Sequence, residues 1–408
     1  MKQFFYLSLI VFGMNSCQDD PSGNPPDDSL PLGDPVETLP ANTDYQPAFP
    51  GQTRVGSVKT LTEFKTEEIA VNIGRPWAIT KMPNGNLLVT DKSGFMQVFS
   101  ETGAFLSKIE GFPSVDDSGQ GGLLDVELDP DFENNRMIYW TFSESFGSGT
   151  LTSVAKARLS LDEQSIENPT VIYRATPSYN GNYHYGSRLV FDANGHLFVS
   201  TGERSDMGIR SQAQLVDSGL GKIFRIDKAG QAVADNPFIS TQGALPEIYS
   251  YGHRNPQGLA INPETKHLWQ TEFGPRGGDE LNLIQAGKNY GWPIISYGLE
   301  YNGQKVGEGL TQKEGMEQPT YYWDPSVSPS GMDFYSGNAL PEWQNNLFIG
   351  CLSGQHIVRL VLKNNRAVGE ERLLSDKMER FRDVLAQHPN QSIYTITDSG
   401  KIYRISKK

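Results

Sequence analysis

The sequence predicts an all-β protein: a six-bladed β-propeller of four-stranded antiparallel blades. Three observations predict it: one hairpin pattern that returns six times, a composition suited to short strands and tight turns, and no comparable helical periodicity. The chain has 408 residues, with 42 Gly, 25 Pro and only 20% charged residues. The six hairpins span residues 77–91, 124–140, 188–200, 258–269, 332–350 and 384–397. Each joins two apolar strands through a turn of Pro, Asp, Asn or Gly, such as Pro83-Asn84-Gly85-Asn86 and Ala193-Asn194-Gly195. Further strands follow at 95–99 and 222–226. The spacing varies over roughly 45–75 residues, as in propeller blades that carry insertions. A β-sandwich would contain similar strands but gives no reason for one turn to return six times.

Ahead of the repeats the chain changes character. Residues 1–16 combine a basic start, a short apolar run and a small Ser16, the pattern of a secretory signal. Cys17 then resembles the lipid acceptor of a bacterial lipoprotein; the alternative is an ordinary cleaved signal with an incidental cysteine. The apolar run is too short to span a bilayer. Residues 17–54 are rich in Pro, Asp and Gly and are expected to form a disordered tether, leaving 55–408 as the propeller. The expected location is the bacterial cell envelope, exported and held by lipid at Cys17, with the acids after it pointing toward the outer membrane. Cys351 lies in an apolar run and is expected in the core, so no disulfide is expected. A formal charge of −13 argues against a nucleic-acid partner.

Propellers host many functions, so chemistry must come from the connecting segments. Four are unusual. Gly119-Gln120-Gly121-Gly122 presents an amide where a blade begins, although taken alone a plain tight turn explains it better. Asn182-Tyr183-His184-Tyr185-Gly186-Ser187-Arg188 sets a histidine among aromatics and glycines. Its proton affinity suits a general base for a hydroxyl proton, and a structural histidine is the alternative. Tyr251-Gly252-His253-Arg254-Asn255-Pro256-Gln257-Gly258 offers forked donors and amides suited to a planar, anionic, carbonyl-rich ligand. Thr271 to Asn282, through Gly274-Pro275-Arg276-Gly277-Gly278-Asp279-Glu280, puts adjacent carboxylates on a glycine-rich loop. That suits a hard cation such as Ca²⁺, and a solvated acidic turn is the alternative.

Together with Arg75-Pro76-Trp77, Leu220-Gly221-Lys222-Ile223, Asn289 to Pro293, Pro329-Ser330-Gly331 and Arg380-Phe381-Arg382-Asp383, these segments resemble the pyrroloquinoline quinone (PQQ)-dependent aldose sugar dehydrogenases, the glucose/sorbosone dehydrogenase family. The resemblance runs from about Ile73 to Ile405 and implies a six-bladed propeller. It implies that His184 is the base for the anomeric hydroxyl while hydride passes to the quinone, and that Gln120 lies close to cofactor and substrate. It implies Arg254 beside the reactive quinone carbonyl. Asn255, Gln257, Gln214 and Tyr321 then contact PQQ, and Arg380 and Arg382 pair with its carboxylates. The carbonyls of Gly274 and Pro275 are implied ligands of a calcium ion that polarises the quinone. Asp279, Glu280 and Tyr290 match a second, more structural calcium site. The implied partners are a small aldose and an electron acceptor that the sequence does not name.

Four positions depart from the glucose-specific members. Ser353 stands where they carry a Lys against the cofactor, and Phe273 where they have Gln. Asp324 replaces a Trp of the substrate cleft, with Trp323 displaced by one, and Tyr183 replaces an Asp before the base. The rival function is a non-catalytic envelope lipoprotein that binds carbohydrate or protein. A calcium-dependent hydrolase or lactonase would need acids or asparagines converging on the axis, beyond the clusters already assigned.

Overall fold

A computed structural model describes residues 30–408. The leader and Cys17 lie outside the described residues. Six sheets, antiparallel but for one parallel bridge at Ser57–Glu370, follow one another around an axis, and the innermost strands are Pro76–Lys81, Leu123–Leu128, Leu189–Phe191, Pro256–Ile261, Pro329–Phe334 and Phe381–Leu385. Each pairs with the second strand of one hairpin identified above. The turn chemistry acts as the residues dictate. Met82 and Asn86 close the first turn with a 2.8 Å bond, and Gly85 turns left-handed at φ 84°. Asp192, Gly195 and His196 repeat that pattern in the third blade.

The ring closes by sharing a blade between the two ends of the propeller. Phe64–Val71 pairs with Lys401–Lys407, whose sheet also holds Phe381–Leu385 and Ile393–Thr397. Five blades have four strands. The fifth has six, because Gly33–Pro35 and Gly56–Ser57 extend its outer edge.

That extension corrects the expected tether. From Gly33 to Arg54 the chain is laid against the propeller by polar contacts rather than by an apolar face. Asp324 accepts from the backbone and side chains of both Asn42 and Thr43, at 2.8–3.1 Å. Gln52 is fully buried, donates to the Pro319 carbonyl, and its backbone oxygen accepts from Tyr322. Arg54 reaches the carbonyls of Glu37, Leu39 and Asp324.

Between adjacent blades lie apolar clusters, such as that uniting Met96, Val98, Leu123, Val126 and Trp140. Cys351 sits in another, its thiol pushed well up by burial, as expected of a core residue. On the axis, the buried Arg188 stacks on Trp77 and bridges Asp125 and Asp383. The same guanidinium donates to the carbonyls of Gln257 and Arg382, so one side chain ties four inner strands together.

Candidate active site

Two hollows meet at the N-terminal ends of the innermost strands. The larger, about 460 Å³, has Lys92, Gln120, Gln257, Phe273, Arg380 and Arg382 in its wall. The smaller, about 10 Å³, shares Phe273 and is walled by Arg254, Glu272, Gly274, Glu280 and Tyr290. A cavity of about 800 Å³ opens at the opposite ends of the same strands, but of the four polar segments only Arg188 reaches it.

His184 is held from three sides. Its backbone is left-handed, φ 48°, a conformation that costs a non-glycine residue roughly 1–3 kcal/mol and concentrates at functional sites. Gln120 Oε1 accepts the His184 N–H at 2.8 Å, and the Gln120 N–H bonds to the Asn182 carbonyl. His184 Nδ1 lies 2.7 Å from Glu203 Oε1, a carboxylate only 1% exposed. The other Glu203 oxygen accepts from Ser205 N. Glu203 thus holds the proton on Nδ1 and leaves the Nε2 lone pair free to accept. Gly202 permits this approach, because a Cβ there would lie 2.2 Å from the His184 carbonyl oxygen. Burial and the Arg254 charge push the imidazole below the ordinary histidine range, against the Glu203 contact, which raises it. At neutral pH the ring is therefore neutral, with Nε2 able to accept a proton.

Arg254, Asn255 and Gln257 follow on the next blade. Glu272 accepts from the backbone N–H of both Arg254 and Asn255. Arg254 Nη1 donates to the carbonyls of Phe273 and Gly274, and its guanidinium lies 5.1 Å over the Trp292 ring. Asn255 Oδ1 and Gln257 Nε2 clamp the backbone of Gly186, two residues from His184. Arg254 Nε and Asn255 Nδ2 are buried donors without a partner among the described residues. Each such orphan costs about 1–3 kcal/mol, which a carbonyl-rich ligand would relieve. Along the wall, Arg380 and Arg382 share Asp398, Arg75 pairs with Asp117, and Lys92 Nζ reaches the Gly119 carbonyl. Four cations thus face two carboxylates. Lys92 is lowered first by burial, then by the charges of Arg382 and Arg75, so a ligand carboxylate is the missing counter-charge. These donors and charges fit a planar polyanion with carbonyl oxygens.

The glycine-rich loop is shaped by Asp279, whose two oxygens accept from the N–H groups of Gly274, Val327 and Ser328. Its carboxylate thus shapes the backbone of the loop, with one Oδ1 lone pair left over. Glu272 and Glu280 face each other across neighbouring strands. Asn282 Nδ2 donates to both, and Asn282 Oδ1 is buried without a partner among the described residues. Burial, then the Glu272 charge, holds Glu280 well above the usual carboxylate range. Two neighbouring carboxyl groups in the wall of a hollow of single-ion size fit one cation. The Tyr290 hydroxyl bridges Leu283 O and Gln285 N, leaving its backbone carbonyl as the group to offer. The Gly274 and Pro275 carbonyls accept from Arg254 and Ser326, and each keeps a second lone pair. Among the described residues, no three His, Cys, Asp or Glu side chains gather to hold a metal, so any calcium here must draw on carbonyls.

The family model described as Glucose / Sorbosone dehydrogenase matches residues 73–404. The chain belongs to that family. It is thereby one of the sugar-oxidising oxidoreductases. It is 39% identical over 347 residues to "Aldose sugar dehydrogenase YliI" of Escherichia coli K12, covering 84% of this chain and 92% of that protein. The crystal structure of the soluble aldose sugar dehydrogenase from Escherichia coli, in its apo form, superposes with a TM-score of 0.80 at 37% identity, over 85% of this chain and 100% of that one. The PQQ-bound aldose sugar dehydrogenase from Streptomyces coelicolor gives 0.69 at 27% identity, over 85% and 99%.

Within this glucose/sorbosone dehydrogenase chain, the site gathers His184, Gln120, Arg254, Asn255, Gln257, Arg380 and Arg382. Two expected cofactor contacts lie elsewhere. Tyr321 is buried in a core cluster with its hydroxyl on Glu370, because its strand turns that face away from the cleft. Gln214 forms a reciprocal amide pair with Asn289 and also donates to the Trp292 carbonyl, so its amide is consumed in supporting the neighbouring loop. Asp324 does not line the cleft; it anchors the N-terminal segment, while Trp323 is core. Ser353 pairs with Ser328, and Phe273 lines the cleft as expected of a changed wall. Glu203, Lys92 and Asp398 escaped the sequence analysis, and Glu272 fell inside the fourth segment without a role. Glu203 stands 19 residues from His184, with nothing but an ordinary strand end around it.

Proposed function

We propose that this protein oxidises aldoses at the anomeric carbon to the lactone, using PQQ and calcium. The observation that carries the reading is a neutral, carboxylate-oriented His184 beside the unpartnered donors of Arg254 and Asn255. Arg380, Arg382 and Lys92 would hold the PQQ carboxylates; Arg254, Asn255 and Gln257 would meet its ring oxygens. The carbonyls of Gly274 and Pro275 would meet one calcium, and Glu280, Glu272 and the Tyr290 carbonyl a second. When bound, PQQ supplies the acceptor for the sugar's C1 hydride, and calcium supplies a Lewis acid that polarises it.

His184 Nε2 takes the proton of the anomeric hydroxyl as the C1–H electron pair departs, leaving a C1 carbonyl. Glu203 stabilises the imidazolium that forms, in the manner of a carboxylate behind a catalytic histidine. Arg254, fixed by Glu272 and by two carbonyls, places positive charge where negative charge develops, with no reorganisation at that moment. Gln120 fixes the His184 backbone and so the direction of its lone pair. A recognition protein has no need for this tautomer control. Residues 1–17 support export, and Cys17 supports a lipid anchor in the cell envelope.

The test is NMR analysis of the product from an aldose carrying ¹³C at C1. Aldonolactone, hydrolysing to aldonate, is expected from the reconstituted protein, and no product from His184→Ala. Oxidation at any other carbon would sink the assignment.

A further inference from the structure

Of the four aromatic side chains in the wall of the larger hollow, Trp77, Tyr185, Phe273 and Tyr301, the last stands farthest into solvent. Tyr301 lines the larger hollow yet is 72% exposed, whereas Trp77 and Tyr185 in the same wall are buried. It stands near the tip of a short hairpin in which Leu299 bridges Lys305, and Glu300 and Gln304 share a 2.8 Å bond. Two contacts fix that hairpin over the site. Leu299 exchanges both backbone bonds with Arg276 of the glycine-rich loop, and Glu300 accepts from Arg210 at 2.6 Å in a largely buried pair. An exposed tyrosine on a hairpin pinned this firmly presents its ring at low entropic cost.

Asp324 and Trp323 add nothing to the cleft: Asp324 is turned to Asn42 and Thr43, and Trp323 packs in the core. Exposure also orders the site in depth: His184 is 5% exposed, so the sugar ring it deprotonates lies deep, and a ring that reaches Tyr301 lies at the mouth. Aromatic faces are natural partners for the C–H face of a sugar, through apolar contact that leaves the hydroxyls in water.

We propose that Tyr301 is a stacking platform for the sugar unit next to the oxidised one, so that the site favours reducing disaccharides over monosaccharides. The inference rests on the proposed aldose oxidation and adds a second subsite to it. The first measurement is kcat/KM of the cofactor-loaded protein for lactose and cellobiose against galactose and glucose. Tyr301→Ala should lower the disaccharide values about 3- to 10-fold and leave the monosaccharide values within about twofold, with Tyr301→Phe behaving as wild type. Equal losses for both classes, or none for disaccharides, would overturn it.

The second measurement needs no turnover. Lactitol and cellobiitol keep the outer ring but have no anomeric hydroxyl, and saturation-transfer NMR should show that ring in contact with wild type and Tyr301→Phe but not Tyr301→Ala. Outer-ring contact without dye reduction by any sugar would uphold the subsite and reject the oxidation. Contact unchanged in Tyr301→Ala would reject the subsite whatever the activity.

Discussion

Replacing Glu203 by Gln separates orientation of the base from its basicity. The substitution keeps the shape of the side chain and removes its charge. In the wild type the Glu203 contact works against burial and Arg254, raising the His184 pKa from a lowered position. A charge-assisted hydrogen bond in such a site is worth about 1.5–3 kcal/mol, or about one to two pKa units. The sign is definite. Because the base must be neutral, activity falls as pH drops through the His184 pKa. Loss of the carboxylate lowers that pKa further and moves the acid limb of kcat/KM to lower pH by about one to two units. At the same time the imidazole loses its fixed tautomer and the partner of its imidazolium. Plateau kcat should therefore fall by about 10²- to 10⁴-fold, while KM changes little. The assay is a pH profile of aldose-dependent dye reduction for wild type and Glu203→Gln, with circular dichroism to verify folding. A plateau within twofold of wild type, or an acid limb moved to higher pH, would refute this account of the pair.

Other perturbations probe the remaining parts. Asp324→Ala frees Asn42 and Thr43, so we expect a stability loss of about 2–4 kcal/mol in urea and early proteolysis before Gly56, with kcat unchanged. Arg382→Ala removes one cation and leaves Asp398 to Arg380 alone, and PQQ binding followed by fluorescence titration should weaken about 10- to 100-fold. Glu280 has a folded-state pKa raised above its unfolded value, so its burden on stability is absent in acid and grows as pH rises above about 4.3. Calcium removal should therefore lower Tm more at neutral than at acid pH, and in scanning fluorimetry Glu280→Gln should remove the pH-dependent share of the calcium effect on Tm and leave the share of the ion on the Gly274 and Pro275 carbonyls.

The blades were legible because each inner strand carries its own turn chemistry: Asn84-Gly85 and Asn194-Gly195 close their hairpins locally, with no information from elsewhere in the chain. Local density also exposed His184, Arg254, Asn255 and Gln257, which lie in polar segments broken by glycine. Glu203 stayed hidden and Glu272 stayed without a role, because each sits at the end of a buried strand and gains meaning only from a partner beyond it. Residues 33–54 misled for a different reason. They have little apolar surface to bury, yet Asp324, Gln52 and Arg54 give their backbone polar partners, which composition does not register. Tyr321 and Gln214 fall in the expected neighbourhood by sequence, but strand direction and an amide pair turn them from the cleft.

The most direct measurement is aldose-dependent reduction of an artificial dye by the purified protein, with and without added PQQ and Ca²⁺. The account predicts reduction only when both are present, lost in His184→Ala. Full reduction without PQQ, or none with PQQ demonstrably bound, would contradict it.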